Sequence, residues 1–435
     1  MKKIAFVMIA LMTTSAMLFA SGARQGSTAP SSTGGATTPG TTTVRWAFWG
    51  NSTRIELTQK AIDLYQSQNP GVQIHAEPYD GNSTELQTVM TQIAGGNAPD
   101  IIQMGGNWPD LVSQALPLET YAGTLLDTKN IDQGALDMVS QNGHIYGISV
   151  GNTYLGLVYN KGLLQRVGAP LPQNNMSYDE LRAYLASIKP LLPDGVYPMM
   201  DVAFTSQGET YFGHYLRTHG LVSYDAATKT TQVTAAIIKD YLDMFADYRA
   251  NGLIPPADVA AQYAEANSDS SALVAGKVAI TFIAASQLSG YEASMTDELD
   301  LITMPGANAQ NKAHWAQLSQ VMMVNKDSKN ADAAVKFINW IVTSPDAGKI
   351  LGTNRGISAS STYRAGVEAS PTDAKILALA SAIGDFLSPE SDHFPNDAEL
   401  VSQEFLIYQS VYFGQLDTTQ GAQRLYDERI RLMNK

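Results

Sequence analysis

Val44-Arg45-Trp46-Ala47-Phe48-Trp49, Val72-Gln73-Ile74-His75-Ala76-Glu77 and Asp100-Ile101-Ile102-Gln103-Met104 are three strand-like runs in close succession. Between the first two, Ile55, Ala61, Ile62 and Tyr65 recur at helical spacing until Asn69-Pro70-Gly71 stops them. Between the second and third, Asn82 and Glu85 read as an N-x-x-E variant of the capping box. They open a helix through Leu86, Val89, Met90 and Ile93, which Gly95-Gly96-Asn97-Ala98-Pro99 breaks. Strand, helix, strand, helix, strand is the pattern of a parallel, doubly wound sheet, and it places the chain in the α/β class.

Downstream the pattern loosens. Tyr146 to Tyr159 carries two strand-like runs around Gly151-Asn152-Thr153. Ser177 and Glu180 form a second capping box, ahead of Leu181, Tyr184, Leu185 and Ile188. Ala235 to Tyr248 is periodic as a helix and ends at Asn251-Gly252 and Pro255-Pro256. Val278–Phe282, Leu299–Met304 and Val321–Val324 read as strands. Ala331–Val342, the segment after Pro371, Glu399–Val411 and Gln420–Met433 read as helices.

Upstream lies an address. Lys2 and Lys3 precede the uncharged apolar run Ile4–Met12, and small residues gather at Ala16, Ala20, Ser21, Gly22 and Ala23. Residues 1–23 therefore read as a cleaved secretory signal peptide. Residues 24–43, almost all Gly, Ser, Thr, Ala and Pro, read as a flexible linker. The 435 residues contain no cysteine, which excludes disulfides, thiolate nucleophiles, Cys-ligated metals and a lipid anchor on cysteine. With 28 Lys and Arg against 41 Asp and Glu, the net charge is −13. No basic run offers a grip on phosphate backbones, so nucleic acid is not an expected partner.

Catalytic motifs are missing. The sequence has no G-x-S-x-G elbow, no H-E-x-x-H helix and no G-x-x-x-x-G-K-[ST] loop. His214 and His219 lie five apart on a helical stretch and diverge, which does not make a zinc pair. No catalytic residue, metal ligand or cofactor is expected. Aromatic placement says more. Trp49, Tyr79, Trp108, Tyr154, Tyr211 and Trp315 stand near strand ends or in Gly/Asn/Pro-rich loops, where open α/β sheets bind ligands. Sugar rings pack their C–H faces on such side chains, and planar partners for hydroxyls lie close by at Asn51, Asp80, Asn107, Asn152 and Arg355.

Several segments carry a family resemblance. Asn97-Ala98-Pro99-Asp100-Ile101-Ile102 resembles the "aPD-apolar" segment of the extracellular solute-binding proteins of binding-protein-dependent ABC importers. Tyr146-Gly147-Ile148-Ser149-Val150 and Leu157-Val158-Tyr159-Asn160-Lys161 are similar to two further family segments. Ala275-Gly276-Lys277-Val278-Ala279-Ile280-Thr281-Phe282 looks like the strand before the ligand loop. Asn354-Arg355-Gly356-Ile357 resembles a late "G-I-P" loop, with Ser358 where Pro is usual. The group is the carbohydrate type, the maltose-binding protein family.

The resemblance implies a two-lobed, periplasmic-binding-protein-like fold. Each lobe would be a doubly wound sheet flanked by helices, with the ligand cleft at the hinge. Crossings are expected near Asn152-Thr153, Ile302-Thr303 and Thr343-Ser344. They give one lobe of 44–152 plus 303–343 and another of 153–302 plus 344–435. Carried over by motif, Asn107 and Trp108 fall at the cleft, and Asn152 and Tyr154 at the hinge side. Many relatives place a sugar-stacking Trp after the Ala-Gly-Lys strand. Here Ala285-Ser286-Gln287 stands instead, which makes Ser286 and Gln287 the candidates and suggests a different or smaller sugar. The implied protein is a periplasmic, monomeric, non-catalytic receptor that delivers a mono- or oligosaccharide to the permease subunits of an ABC importer. The alternatives are a secreted carbohydrate-active enzyme, or a receptor for a sugar acid, a glycerophosphate or a polyamine.

Overall fold

β1 (Thr42–Trp49) sends Val44, Trp46 and Phe48 to one face and Ala47 to the other, as strand alternation requires. On the first face α1 (Ser52–Gln68) lays down Ala61, Ile62 and Tyr65, its apolar stripe. β2 (Val72–Tyr79) runs parallel beside β1, from Thr42 opposite Val72 to Trp49 opposite Tyr79. α2 (Asn82–Ala94) covers the second face with Val89, and β3 (Ile101–Met104) lies on the other side of β1, also parallel. The computed structural model describes residues 40–204, 208–264, 266–368, 370–388 and 394–435. The segments expected as signal peptide and, for the most part, as linker fall outside them. β1 itself begins at Thr42, inside the span expected as linker.

The cap expected on α2 does not form. Gly81 holds the N-cap position without a side-chain bond. Asn82 turns instead to the end of β3, accepting from the Gly105 N–H at 3.2 Å and donating to Asn107 at 2.9 Å. Glu85, expected to cap, is 0% exposed.

β4 (Ile148–Asn160) is one continuous strand through the Gly151-Asn152-Thr153 stretch that the sequence suggested as a break. α3 (Tyr178–Ile188) has the full Ser177–Glu180 capping box. There follow β5 (Tyr197–Met199), α4 (Gly208–Thr218), α5 (Ala235–Ala250), β6 (Val278–Ala284), α6 (Leu288–Ala293), β7 (Leu299–Thr303) and β8 (Ala316–Val324). The C-terminal part adds α7 (Ala331–Thr343), α8 (Pro345–Leu351), α9 (Pro371–Ile383), α10 (Asp397–Tyr412) and α11 (Thr418–Met433).

The sheet order is β2-β1-β3-β8-β4-β6-β5, with β7 also paired to β4. β4 is the element both lobes share. Its residues to Tyr154 pair antiparallel with β8, and those from Leu155 pair antiparallel with β6 and β7. β8 returns between β3 and β4, so the first lobe is closed by a strand that comes late in the chain. The first lobe's core lies between β1 and α1, α7 and α8, with a second cluster under α2. The second lobe's core gathers Leu157, Leu185, Phe245, Ile280 and Leu301.

Two crossings differ from expectation. After β7, the segment from 304 stays with the second lobe until β8. His214 Nε2 meets the Pro305 carbonyl at 2.8 Å, and Asn311 donates to the Thr218 carbonyl at 2.8 Å. Thr343-Ser344 is only a helix break: Ser344 caps α8, Pro345 restarts the helix, and α8 packs on α1 and α7. The chain reaches the second lobe with α9, which packs on β7, β4 and α6.

Candidate functional site

The carboxyl ends of β1, β2 and β3 lie together, and each is followed by glycine or a polar turn. β1 ends at Trp49 and passes through Gly50 to Asn51, which caps α1 by accepting from the Arg54 N–H at 2.9 Å. Beside it β2 ends at Tyr79, paired with Trp49 and followed by exposed Asp80. Burial raises the Tyr79 hydroxyl above its ordinary pKa. β3 leads through Gly105 and Gly106 to Asn107, which Asn82 holds.

Against this edge stands the second lobe. Asn51 Nδ2 donates to Ser268 Oγ at 3.0 Å. Arg54 donates to the Asn354 side chain at 3.2 Å and its carbonyl at 2.8 Å, and Asn354 Nδ2 donates to Ser289 Oγ at 2.8 Å. The Arg54 guanidinium also lies 5.0 Å over the Trp49 ring, and burial lowers its pKa to about 10. Gly290, on α6, lies against the contact of Asn51 with Ser268. A Cβ there would sit 2.1 Å from Asn51 Nδ2 and 2.6 Å from Ser268 Oγ. At the hinge, the Ser286 N–H donates to Thr153 Oγ1 at 3.1 Å, and Asn152 exchanges backbone bonds with Ile357 at 2.8 and 2.6 Å.

Trp49, Asn51, Tyr79, Asp80 and Asn107 thus share the first lobe's edge. Asn152 and Tyr154 lie on the shared strand, and Ser286 and Gln287 come just before the Ser289–Gly290 contact. Four candidates lie elsewhere. Trp108 is 5% exposed and packs with Ala47, Val89, Ile102, Met104 and Leu111, because a 3-10 helix opens at Trp108, with Pro109 in its first turn, and carries the indole under the sheet. Tyr211, 1% exposed, stands edge-on to Phe245 and Phe282 in the second lobe's core. Trp315, 8% exposed, is flanked by the Arg217 guanidinium at 4.8 Å and the His214 ring at 6.4 Å.

Arg355, 2% exposed, is a structural cation of the first lobe. It donates to Gln103, to Gln320 at 2.7 Å and to Thr58, and lies over Trp46 at 5.2 Å. Burial lowers its pKa to about 9, with repulsion from Arg54 adding to the shift. Sequence reasoning passed over Arg54, Ser268, Ser289, Gly290 and Asn354. None has a local pattern around it, and Ser268 and Asn51 are joined only by the fold. Asn354, beside the singled-out Arg355, was the nearest signal. Among the described residues no group of three or more His, Asp or Glu could hold a metal ion.

A model of the bacterial extracellular solute-binding protein family matches residues 49–348. A Brucella abortus protein described only as a binding protein is 30% identical over 132 residues, 29% of this chain. The match covers 31% of that protein, so the chain spans under a third of the length of the curated relatives it matches. Among solved structures, the periplasmic oligogalacturonide-binding protein of Yersinia enterocolitica with digalacturonic acid superposes with a TM-score of 0.79. Its identity is 23%, covering 90% of this chain and 99% of the other. An ABC substrate-binding protein of Listeria monocytogenes in complex with cycloalternan gives 0.76 at 17% identity, covering 91% and 99%. At these identities the likeness shows a shared two-lobed fold.

Proposed function

This chain belongs to the bacterial extracellular solute-binding proteins, and from that premise we propose that it is an exported receptor enclosing a neutral saccharide between its lobes for delivery to a membrane importer. One observation carries the reading: the lobes face each other through amides and hydroxyls, Asn51 with Ser268 and Asn354 with Ser289, beside the aromatic pair Trp49 and Tyr79. Sugar hydroxyls can bond to such amides and hydroxyls, and sugar C–H faces can pack on such rings. The solved relatives bind saccharides, one acidic and one not. The charge here favours the neutral kind. An acid sugar or a glycerophosphate requires a cationic clamp, yet Arg355 is spent on Gln103, Gln320 and Thr58, Arg54 is spent on Asn354 and the Trp49 ring, and the strand-end segments 49–51, 79–81 and 104–108 carry only Asp80 as a charge. A polyamine would need more carboxylates than that one.

The mechanism follows from differential contact. A ligand that touches both faces stabilises the closed arrangement over the open one, and β4 supplies the hinge between them. Export rests on the leader at residues 1–23, and action by binding without turnover rests on the family. Differential scanning fluorimetry of the mature chain tests the reading. Malto-, cello- and xylo-oligosaccharides are set against galacturonate, glycerol phosphate and spermidine. A neutral sugar at 100 times its Kd should add about 2.7 kcal/mol of stability. Shifts from charged ligands alone overturn the assignment, and sustained hydrolysis of any sugar overturns the receptor.

Closure itself is testable at Gly290. Asn51 cannot simply swing aside from a new side chain, because its own side chain caps α1, a contact worth about 1 kcal/mol. Gly290→Val should therefore wedge the lobes, raising Kd about tenfold or more, the equivalent of ~1.4 kcal/mol. Small-angle scattering of the sugar-loaded variant should keep the radius of gyration of the unloaded protein. Contraction like that of the wild type would show that Gly290 is not a closure contact.

A further inference from the structure

A relay of amides fixes the turn that follows β3. Asn82 is the first residue of α2 and is free of capping duty, because Gly81 holds that position. Its Oδ1 accepts the Gly105 N–H at 3.2 Å, and its Nδ2 donates to Asn107 Oδ1 at 2.9 Å. The order cannot be reversed. A backbone N–H only donates, so it takes the oxygen of Asn82 and leaves the nitrogen for Asn107, whose own oxygen must then face inward. The backbone of the turn is held as well. The Trp108 N–H donates to the Gly105 carbonyl at 3.1 Å, the Asp110 N–H donates to the Asn107 carbonyl at 3.1 Å, and the Trp108 indole is anchored in the core. Asn107 is half-buried, and among the described residues its Nδ2 has no partner.

We infer that Asn82 is a positioning residue of the saccharide site, turning the Asn107 amide so that its N–H pair, and not its oxygen, meets the ligand. The inference rests on the receptor reading above and adds a polarity to it. Asn107 stands beyond the carboxyl end of β3, on the edge where Trp49 and Tyr79 end their strands, and open α/β sheets bind ligands at such an edge. A fixed donor there is satisfied by a hydroxyl's lone pair or by a ring oxygen. An ammonium, which only donates, has nothing to offer it. Because Asn82 sets the orientation before any ligand arrives, binding does not have to immobilise the amide.

Asn82→Asp tests the polarity, and an acidic residue suits the first turn of a helix. The new carboxylate still accepts from Gly105 but cannot donate. The Asn107 amide should therefore turn over, spend its N–H on that carboxylate and present its oxygen. Titration calorimetry uses maltose, cellobiose and xylobiose and, for the one that binds, its analogues with a single hydroxyl replaced by fluorine, which accepts weakly and never donates. Asn82→Asp should weaken one analogue at least about fivefold more than the parent sugar, the size of one hydrogen bond. In an Asn107→Ala background the same substitution should leave every analogue-to-parent ratio unchanged, because Asn82 acts through Asn107. Equal weakening across the set, or a selective loss that persists without the Asn107 side chain, overturns the inference and leaves the receptor standing. Nuclear magnetic resonance of the asparagine-labelled chain gives a reading apart from affinity. The Asn107 side-chain N–H signal, identified by its loss in Asn107→Ala, should move downfield when sugar is added to the wild type. In Asn82→Asp it should start downfield and stay there. Should that variant melt low, the wild-type signal decides, and one that ignores the sugar overturns the inference. Failure of all three disaccharides to bind the wild type overturns both readings.

Discussion

Glu85→Gln is expected to flatten the pH dependence of stability by about 1.4 kcal/mol per pH unit across the neutral range. Burial lifts the Glu85 carboxyl from 4.5 to about 9, only partly offset by the Arg355 guanidinium. The Gln103 backbone N–H bonds to it as well, and burial still outweighs both. Between those pH values the folded chain keeps a proton that the unfolded chain has released. The stability associated with neutral Glu85 is complete below about pH 4.5 and drains as pH rises toward 9, by about 3 kcal/mol at pH 7. Glutamine fits the same space and has no proton to lose. Urea denaturation of both proteins at pH 5, 7 and 9 reads the effect as curves that diverge with pH. Parallel curves would show that Glu85 ionises normally and is not sealed under α2.

Trp108→Ala should cost ~3–5 kcal/mol of folding stability, the range for removing a large aromatic from a packed core. The indole fills the cluster between the sheet and α2, against Ala47, Val89 and Met104. Saccharide affinity should change only as far as the fold loosens. The ligand-free melting temperature and Kd of one variant separate the two roles. A normal melt with weakened binding would return the ring to the cleft.

These two residues show where the sequence was legible. The β1–β3 unit could be read because alternation and helical period are local properties, and Val44, Trp46 and Phe48 obey them. The capping box was read correctly at Ser177–Glu180 and wrongly at Asn82–Glu85, although the spacing is identical. What separates them is Asn82's long-range attachment to Gly105 and Asn107, which no window around Asn82 contains. Aromatic residues near strand ends posed the same difficulty. Trp49 ends one strand and Trp108 comes shortly after another, but Trp49 reaches the lobe edge while the 3-10 helix that opens at Trp108 holds its ring under the sheet. Arg355 reads as a planar hydroxyl partner on a late family-like loop, but its partners Thr58, Gln103 and Gln320 are scattered across three elements. The lobe contacts were least visible of all, since Asn51 and Ser268 are 217 residues apart.

The late return of β8 sets the timetable of folding. β3 ends at Met104 and β4 begins at Ile148, yet the strand between them is not synthesised until Ala316. A nascent chain therefore carries two open sheet edges from the emergence of Asn160 until that of Ala316, and the first lobe cannot zip shut as it emerges. Because α7 and α8 also belong to that lobe, its roof arrives later still. Such non-local pairing slows folding, and it keeps the chain threadable almost to its last hundred residues. For a member of an extracellular protein family, slow closure leaves time to cross a membrane before there is a shape to carry through it.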